Sequence, residues 1–291
     1  MLITFYGVRG SVPSPGPTTV RYGGNTSCVY IELDNGENLI LDSGTGIREL
    51  GKRLKHLDGE INILLSHTHW DHIHGYPYFA PIYQRDRHIR VFTAANEAHG
   101  QICSLFDQID GANFPLHANE LPSRAECITE DVGAMLAGDN IQVRRVHINH
   151  PGGGYAYRIE EDGASCLYIT DNELEPPNKP ATTYDQWVEF CRGADVMIHD
   201  AQYLESDMPR KHGWGHSLVS QVRQLAVDAE VNCLVMFHHD PDRSDAEIDF
   251  IQQENEQFFR GRRAPALSVC AAEGMKIRLT PQAGGTRVAV E

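Results

Sequence analysis

The stretch INILLSHTHWDHIHG, residues 61–75, is the most informative part of this chain. It begins with an apolar run that predicts one buried strand, and it continues directly into a segment rich in histidine. His67 and His69 are two residues apart, so both rings project from the same face of an extended segment and can hold one ion. Asp71 and His72 follow where the chain must turn into a helix. These two side chains can therefore reach a second ion.

The ligand types in this stretch indicate which ions fit. Imidazole nitrogens together with carboxylate oxygens suit Zn²⁺, and Mn²⁺ or Fe²⁺ accept the same ligands because ligand type alone does not select among them. The sequence therefore predicts two divalent metal ions, with Zn²⁺ as the expected metal.

Polar side chains also follow other apolar runs along the chain. Asp171 comes after a predicted strand, Asp200 ends the run VMIH, and His238 follows the run LVMF. Each residue lies at the C-terminal side of its strand and precedes a loop. This pattern gathers histidine and aspartate side chains on one rim of a sheet.

The order of predicted elements indicates the fold class. The chain has two halves, each with strands first and helices after, which predicts an α/β (α+β) fold with two packed sheets flanked by helices, a four-layer αββα body. We expect a helix with Ser217 as its N-cap and a closing strand at Met275–Leu279. No linker divides the chain, so residues 1–291 are expected to form one domain. A less regular pocket wall is expected over about residues 80–140, with helices at Ala95–Ile109 and Glu130–Leu136.

The motif HTHWDH resembles the H-x-H-x-D-H signature of the metallo-β-lactamase superfamily. The resemblance extends over most of the chain: the strand and turn LILDSG at 39–44 match the segment before the signature. His150, Asp171 and His238 match the remaining metal-binding positions of that superfamily. The segments GVRGSVPSPG and RYGGNTS, with the pair Asp200 and His216, look most like its phosphodiesterase branch, which holds ribonuclease Z and cyclic-phosphate phosphodiesterases.

The resemblance implies a specific set of metal ligands. Asp171 would bridge the two ions together with a hydroxide. Of the neighbours His238 and His239, His238 is favoured because it follows its strand directly, and His239 is the alternative. One ion would be held by His67, His69 and His150, and the other by Asp71, His72 and His238.

These ligands predict a hydrolase that cleaves phosphodiester bonds by attack of the bridging hydroxide. Two divalent ions outweigh the charges of Asp71, Asp171 and the hydroxide, which leaves a positive centre suited to a phosphodiester monoanion. His216 can protonate the leaving oxygen, and Asp200 can hold its ring in the charged form. Asp71, Asp200 and His216 are the expected catalytic residues.

The charge balance indicates which classes of partner to expect. The chain has 25 Lys+Arg against 40 Asp+Glu, a net charge of −15 that repels DNA and anionic membrane surfaces. We expect a small substrate, a cyclic nucleotide or cyclic phosphate, and RNA is disfavoured because no Gly- and Lys-rich arm is visible. The alternatives are a ribonuclease Z-like endonuclease acting at tRNA 3′ ends and a lactone or thioester hydrolase. A homodimer is the assembly that the resemblance suggests.

The cellular location is expected to be cytoplasmic. No apolar run approaches the roughly 18 residues of a membrane span, and the N-terminus lacks the basic and apolar stretches of a signal peptide. The seven cysteines include no C-x-x-C pair, which is typical of reduced thiols.

Overall fold

The computed structural model describes residues 1–93, 104–128, 132–135, 140–262 and 264–291. Four short 3₁₀ turns lie at 76–78, 80–83, 118–120 and 205–207 of these described ranges. The helices, in chain order, are α1 (Ile47–Leu54), α2 (Trp70–Ile73), α3 (Ser104–Asp107), α4 (Val132–Met135), α5 (Tyr184–Cys191), α6 (Val219–Asp228) and α7 (Asp245–Phe259). The strands are β1 (Leu2–Gly7), β2 (Cys28–Glu32), β3 (Asn38–Leu41), β4 (Ile61–Leu64), β5 (His88–Phe92), β6 (Arg124–Ile128), β7 (Ile141–His147), β8 (Tyr155–Glu161), β9 (Ala164–Ile169), β10 (Val196–Asp200), β11 (Cys233–Phe237), β12 (Leu267–Cys270), β13 (Lys276–Gln282) and β14 (Gly285–Val290).

These strands form two sheets within the described part of the chain. One has eight strands in the order β14-β13-β1-β2-β3-β4-β5-β6, and the other has six in the order β12-β11-β10-β9-β8-β7. In each sheet four neighbouring strands are parallel, β3 to β6 and β9 to β12. Every residue of β4, β9, β10 and β11 is buried, as in parallel sheets covered on both faces. The carboxyl ends of these strands carry the residues of the site.

Three apolar clusters pack between the layers. Residues of both sheets, including Phe5 and Phe237, pack together in the central cluster. Trp187 belongs to the cluster in which α5, α6 and α7 cover the six-stranded sheet. Tyr76 belongs to the third cluster, in which α1 covers the eight-stranded sheet. The predicted αββα arrangement is therefore confirmed.

The edges of the sheets differ from the prediction. The C-terminal strand continues to Gln282 and pairs with β14, which was missed. Side chains of β14 are exposed or half-buried, so it lacks the apolar signal of an interior strand. The expected irregular region contains β5 and β6, which extend the eight-stranded sheet. Parts of the two helices expected in this region lie outside the described residues. The described part of the region contains the short helices α3 and α4.

The helix predicted from Ser217 begins later, so the prediction of its cap is wrong. α6 starts at Val219 with Leu218 as N-cap. The Ser217 hydroxyl instead donates a hydrogen bond to the carbonyl oxygen of Asn172 at 2.5 Å. Its oxygen accepts from the backbone N–H of Leu174 at 3.3 Å rather than from an N–H of the helix, so Ser217 does not cap α6.

One expectation about the cysteines is also wrong, because Cys127 is disulfide-bonded. The free cysteines among the described residues are all buried: Cys28, Cys166, Cys191, Cys233 and Cys270. None of the helices that the structure describes has the length and apolar character needed to cross a membrane.

Candidate metal centre

Three residues that follow strands β3, β9 and β11 have left-handed backbone conformations. They are Asp42 after β3, Asp171 after β9 and His238 after β11, with φ angles of 60°, 50° and 57°. Positive φ is uncommon for residues other than glycine, and such strain is found preferentially at functional sites. All three side chains belong to one buried network of histidine and carboxylate groups.

The first group in this network contains His67, His69, His150 and Asp171. Their ligand atoms all lie within 4.8 Å of one another. Nδ1 of His69 and Nε2 of His150 are 2.9 Å apart, and Nε2 of His67 and of His150 each lie 3.7 Å from Oδ2 of Asp171. The signature segment after β4 and two loops of the other sheet therefore meet here.

The second group contains Asp71, His72, Asp171 and His238, again within 4.8 Å. Nε2 of His72 and Nε2 of His238 lie 3.0 and 3.1 Å from Oδ1 of Asp171. Both nitrogens are also 3.1 Å from Oδ2 of Asp71. Asp171 thus presents one carboxylate oxygen to each group, which is the arrangement that a bridging ligand needs.

Two ring nitrogens test whether this donor set fits metal ions. Nε2 of His67 and Nε2 of His72 are buried and make no hydrogen bond, although carboxylate oxygens are near. A buried polar atom without a partner destabilises a fold by roughly 1–3 kcal/mol. A divalent cation shared with the carboxylates would satisfy both nitrogens, and imidazole and carboxylate are suitable donors. The cluster is therefore suited to two divalent metal ions.

The protonation states agree with metal binding, which requires neutral imidazole and ionised carboxylate. Burial lowers the pKa of His67 well below its usual range and lowers that of His150 to about 4. Burial opposes ionisation of Asp171, but His238 and His72 hold the pKa of its carboxyl well below the usual range. His67 and His150 are therefore neutral at neutral pH, whereas for His72 burial is outweighed by the carboxylates of Asp171, Asp71 and Asp42, which raise its pKa. A metal ion would take the place of the proton that these carboxylates attract to His72.

Hydrogen bonds to the far side of the rings set their orientation. Oδ2 of Asp42 accepts from Nδ1 of His72 at 2.8 Å and from the hydroxyl of Tyr168 at 2.7 Å. Nδ1 of His238 donates to Oε1 of Gln202 at 3.0 Å. These bonds leave each Nε2 free to face an ion. Gln202 carries no motif in the sequence that marks it as such a partner.

The structure separates the two neighbouring histidines after β11. His238 lies in the second group, whereas His239 lies in neither. Nε2 of His239 donates to the carbonyl oxygen of Ala271 at 2.9 Å, and burial lowers the pKa of this ring to about 3. The geometry therefore favours His238, the residue preferred from the sequence.

His216 and Asp200 form a buried pair beside the second group. Nδ1 of His216 donates to Oδ2 of Asp200 at 2.8 Å, and the His216 ring stacks on that of His238 with centroids 5.2 Å apart. Burial lowers the pKa of His216, but the charge of Asp200 and this hydrogen bond outweigh it and raise the pKa to about 9. The ring is therefore a cation at neutral pH with Nε2 available as a proton donor.

Glu173 is a functional residue that the sequence does not reveal. Its buried carboxylate accepts hydrogen bonds from the backbone N–H groups of Gly213 and Gly215 at 2.9 and 3.0 Å. The carbonyl oxygen of Gly215 in turn accepts from Nδ1 of His150 at 2.9 Å. Glu173 therefore holds the loop that positions His150 on one side and His216 on the other.

Solved structures with the same fold support the architecture. The metallo-β-lactamase fold protein YhfI from Bacillus subtilis superimposes with a TM-score of 0.67 at 17% identity, covering 94% of this chain and 98% of that protein. At this identity the likeness concerns the fold alone.

Two relatives correct the expectation about partners. Ribonuclease Z of Haloarcula marismortui is 23% identical over 96% of this chain and 97% of its own length. Ribonuclease Z of Thermoplasma acidophilum is 25% identical over 84% and 88%. The expectation that RNA is disfavoured is therefore wrong, and the small substrate inferred from net charge has no support in these relatives. Net charge misled because it averages over the surface and does not describe the site.

The family is established by the match of residues 37–239 to the model of the beta-lactamase superfamily domain. The matched range contains every residue of both ligand groups and the pair of Asp200 and His216. The resemblance read from HTHWDH is thereby confirmed. The chain belongs to the β-lactamase superfamily and is a metal-dependent hydrolase.

Proposed function

We propose that this chain hydrolyses phosphodiester bonds at a centre of two divalent metal ions, expected to be Zn²⁺. The observation that carries the proposal is Asp171, whose two carboxylate oxygens face two separate groups of ligand atoms. His67, His69 and His150 hold one ion with Asp171, and Asp71, His72 and His238 hold the other.

The ions and the protein contribute different parts of the chemistry. When bound, the ions supply Lewis acidity and a hydroxide nucleophile near neutral pH. Asp71 and Asp171 hold the ions and leave the centre with net positive charge, which suits a phosphodiester monoanion. The protonated His216 ring, held at Nδ1 by Asp200, delivers a proton from Nε2 to the leaving oxygen. Proton donation by this pair assists phosphodiester cleavage, whereas hydrolysis of a lactone would leave the pair without a clear role.

The substrate class follows from the relatives and from the chemistry of the leaving group. The two ribonuclease Z relatives support an RNA phosphodiester as substrate. The sequence analysis predicts a cyclic nucleotide as the substrate. The alkoxide that leaves a cyclic nucleotide needs a proton from His216, as does the alkoxide that leaves an RNA strand. Both substrates are therefore placed in one panel.

The test measures how fast the metal-loaded protein hydrolyses a panel of substrates, with chelator-treated protein as the control. The panel contains bis(p-nitrophenyl) phosphate, 2′,3′- and 3′,5′-cyclic nucleotides, a tRNA precursor and a lactone. We expect metal-dependent cleavage of bis(p-nitrophenyl) phosphate and of at least one nucleotide substrate. Cleavage of the lactone alone would contradict the proposal.

A further inference from the structure

The 8–11 segment, which follows β1, lies against the second ligand group. It belongs to the stretch GVRGSVPSPG at residues 7–16, which supplies no ligand to either group that the structure describes. The backbone N–H of Gly10 donates to the carbonyl oxygen of His239 at 2.9 Å, and the N–H of His239 donates to the carbonyl oxygen of Val8 at 3.0 Å. The segment is therefore paired with the loop that carries His238.

A buried arginine fixes the 8–11 segment in this position. The Arg9 side chain is fully buried. Its guanidinium donates hydrogen bonds of 2.6–3.0 Å to three backbone carbonyl oxygens, which belong to Gly23, Asp240 and Arg243. Hydrogen bonds from a charged donor are stronger than those between neutral groups. The segment is therefore held firmly against the loop after β11.

Ser11 connects the segment to a candidate ligand of the second ion. The backbone N–H of Ser11 donates to Oδ2 of Asp71 at 2.8 Å. The same oxygen lies 3.1 Å from Nε2 of His72 and from Nε2 of His238, so it is the carboxylate oxygen that faces the second ion. Ser11 has φ 63°, a left-handed conformation that is uncommon for residues other than glycine and persists only where the surroundings enforce it.

The segment also contacts His238. Nε2 of Gln202 donates to Oγ of Ser11 at 3.2 Å, while Oε1 of the same amide accepts from Nδ1 of His238 at 3.0 Å. The backbone of Gly10 packs on the His238 ring, because a Cβ added at Gly10 would lie 2.6 Å from Nδ1 and from Cε1 of that ring. Two candidate ligands of the second ion, Asp71 and His238, are therefore oriented by this segment.

The first ligand group is oriented by other parts of the chain. Nδ1 of His150 donates to the carbonyl oxygen of Gly215 at 2.9 Å, and Nδ1 of His67 lies 3.1 Å from the hydroxyl oxygen of Ser66. Both contacts come from outside the 8–11 segment. A change in this segment should therefore affect the second ion and spare the first.

We propose that the 8–11 segment positions the second metal ion. Ser11 is a positioning residue that orients Asp71 through its backbone N–H, and Gly10 is the close contact that sets the His238 ring. The inference rests on the proposed function, because it requires two metal ions. It adds an element that controls the occupancy of one site independently of the other.

The test measures the two Zn²⁺ dissociation constants of purified variants by competition with a chromophoric chelator. Ser11→Val should weaken binding of the second ion by about 10–100-fold, as is typical when a ligand loses an outer hydrogen bond, because a β-branched residue disfavours positive φ and displaces the N–H. Ser11→Gly should bind both ions as the wild-type protein does, because glycine adopts this conformation and keeps the N–H.

Gly10→Ala tests the same segment without changing Ser11. The added Cβ would displace the His238 ring, so binding of the second ion should again weaken while binding of the first is unchanged. Asp71→Ala identifies the second site by removing one of its ligands. The dissociation constant that remains tight in Ser11→Val and in Gly10→Ala should equal the one that remains in Asp71→Ala.

The matched control is Asp162→Val. Asp162 is exposed in the turn between β8 and β9, has φ 49° and belongs to neither ligand group. Valine therefore imposes a similar backbone strain away from the metal centre, and this variant should bind both ions as the wild-type protein does. Thermal unfolding of every variant shows whether it is folded.

The outcomes separate this inference from the proposed function. Wild-type affinity for the second ion in both Ser11→Val and Gly10→Ala, equal weakening of both ions, or a loss in Ser11→Gly as large as that in Ser11→Val would overturn the inference and leave the function intact. Selective weakening of the second ion in a protein that hydrolyses no phosphodiester would support the inference and overturn the function. A wild-type protein that binds fewer than two Zn²⁺ would overturn both.

Discussion

At the scale of single residues, Asp171 is the most consequential side chain. Its oxygens lie 3.0–3.1 Å from the Nε2 atoms of His72 and His238 and 3.7 Å from those of His67 and His150. Asp171→Ala should therefore lower metal content at both sites, whereas Asp71→Ala should affect one ion. Metal analysis of purified variants measures this difference, and full metal content in Asp171→Ala would show that the carboxylate does not bridge.

The role of His216 can be separated from that of the metals. His216→Ala should keep both ions yet reduce turnover of a cyclic nucleotide or RNA by roughly 10²–10⁴-fold, the range for loss of a general acid. The rate on bis(p-nitrophenyl) phosphate should fall much less, because p-nitrophenolate leaves without a proton. Steady-state rates on both substrates provide the comparison. Equal losses would indicate phosphate binding rather than proton donation.

The pH profile gives a second readout of the same residue. His216 acts in its protonated form, so its contribution is present below its pKa of about 9 and is lost as pH rises through that value. Turnover of a substrate with an alkoxide leaving group should therefore decline on the alkaline side. His216→Ala should lack this decline, and an unchanged alkaline limb in the variant would assign the titration to another group.

Gln202 provides a test of ring orientation. Gln202→Leu removes the acceptor for Nδ1 of His238 while nearly conserving volume. Loss of such an outer hydrogen bond typically weakens metal binding by about 10–100-fold. We expect one ion to be lost at lower chelator concentration than the other in a competition titration. Identical titrations for the variant and the wild-type protein would refute this role.

The proposed metal ligands could be singled out at this scale because metal binding demands particular residue types at recognisable spacings, and the structure brings them into two groups. His67, His69, Asp71 and His72 lie within six residues. Glu173 and Gln202 escaped prediction because their partners, Gly215 and His238, are tens of residues away in the chain. Only the fold brings such polar groups together.

At the scale of elements, the loop 213–216 couples the metal centre to the acid. Gly215 has φ +89°, and an added Cβ would lie 2.1 Å from Nδ1 of His150. Gly215→Ala should therefore displace His150 and reduce both metal content and activity. Gly193→Ala is the matched control, because it also has positive φ (+61°) but has no atom within 4 Å of the added Cβ. It should lose about 1 kcal/mol of stability and keep its metals. Comparable metal loss in both variants would count against the coupling.

Interior elements were easier to predict than edge elements. β4 and β11 are short, mainly apolar runs that are followed by polar site residues, and such runs indicate buried strands. β6 and β14 are exposed or half-buried along most of their length, so their sequences lack that signal. Pairing with a neighbour already in the sheet, rather than local sequence, determines these edge strands.

At the scale of the whole molecule, the metal centre joins the two sheets. The signature segment follows β4 of the eight-stranded sheet, whereas Asp171 and His238 follow β9 and β11 of the six-stranded sheet. Chelation should therefore lower the thermal midpoint of unfolding. Free metal at 100 times its Kd stabilises a folded chain by about 2.7 kcal/mol per site. Scanning calorimetry with and without chelator measures the shift, and an unchanged midpoint would mean that the ions do not link the layers.

The global charge was the least informative property of the sequence. The net charge of −15 led to the prediction that the protein does not act on RNA, yet two relatives over most of its length are ribonucleases Z. Charge at a site is set by a few groups within a screening length of roughly 8–10 Å, so His216 and the ions count for more than distant carboxylates.

The most direct test of the central claim is a titration of metal-free protein with Zn²⁺, followed by the rate of bis(p-nitrophenyl) phosphate hydrolysis. The two groups that share Asp171 predict that the rate rises until about two equivalents per chain are bound. Saturation at one equivalent, or no hydrolysis at any metal content, would contradict a dinuclear phosphodiesterase.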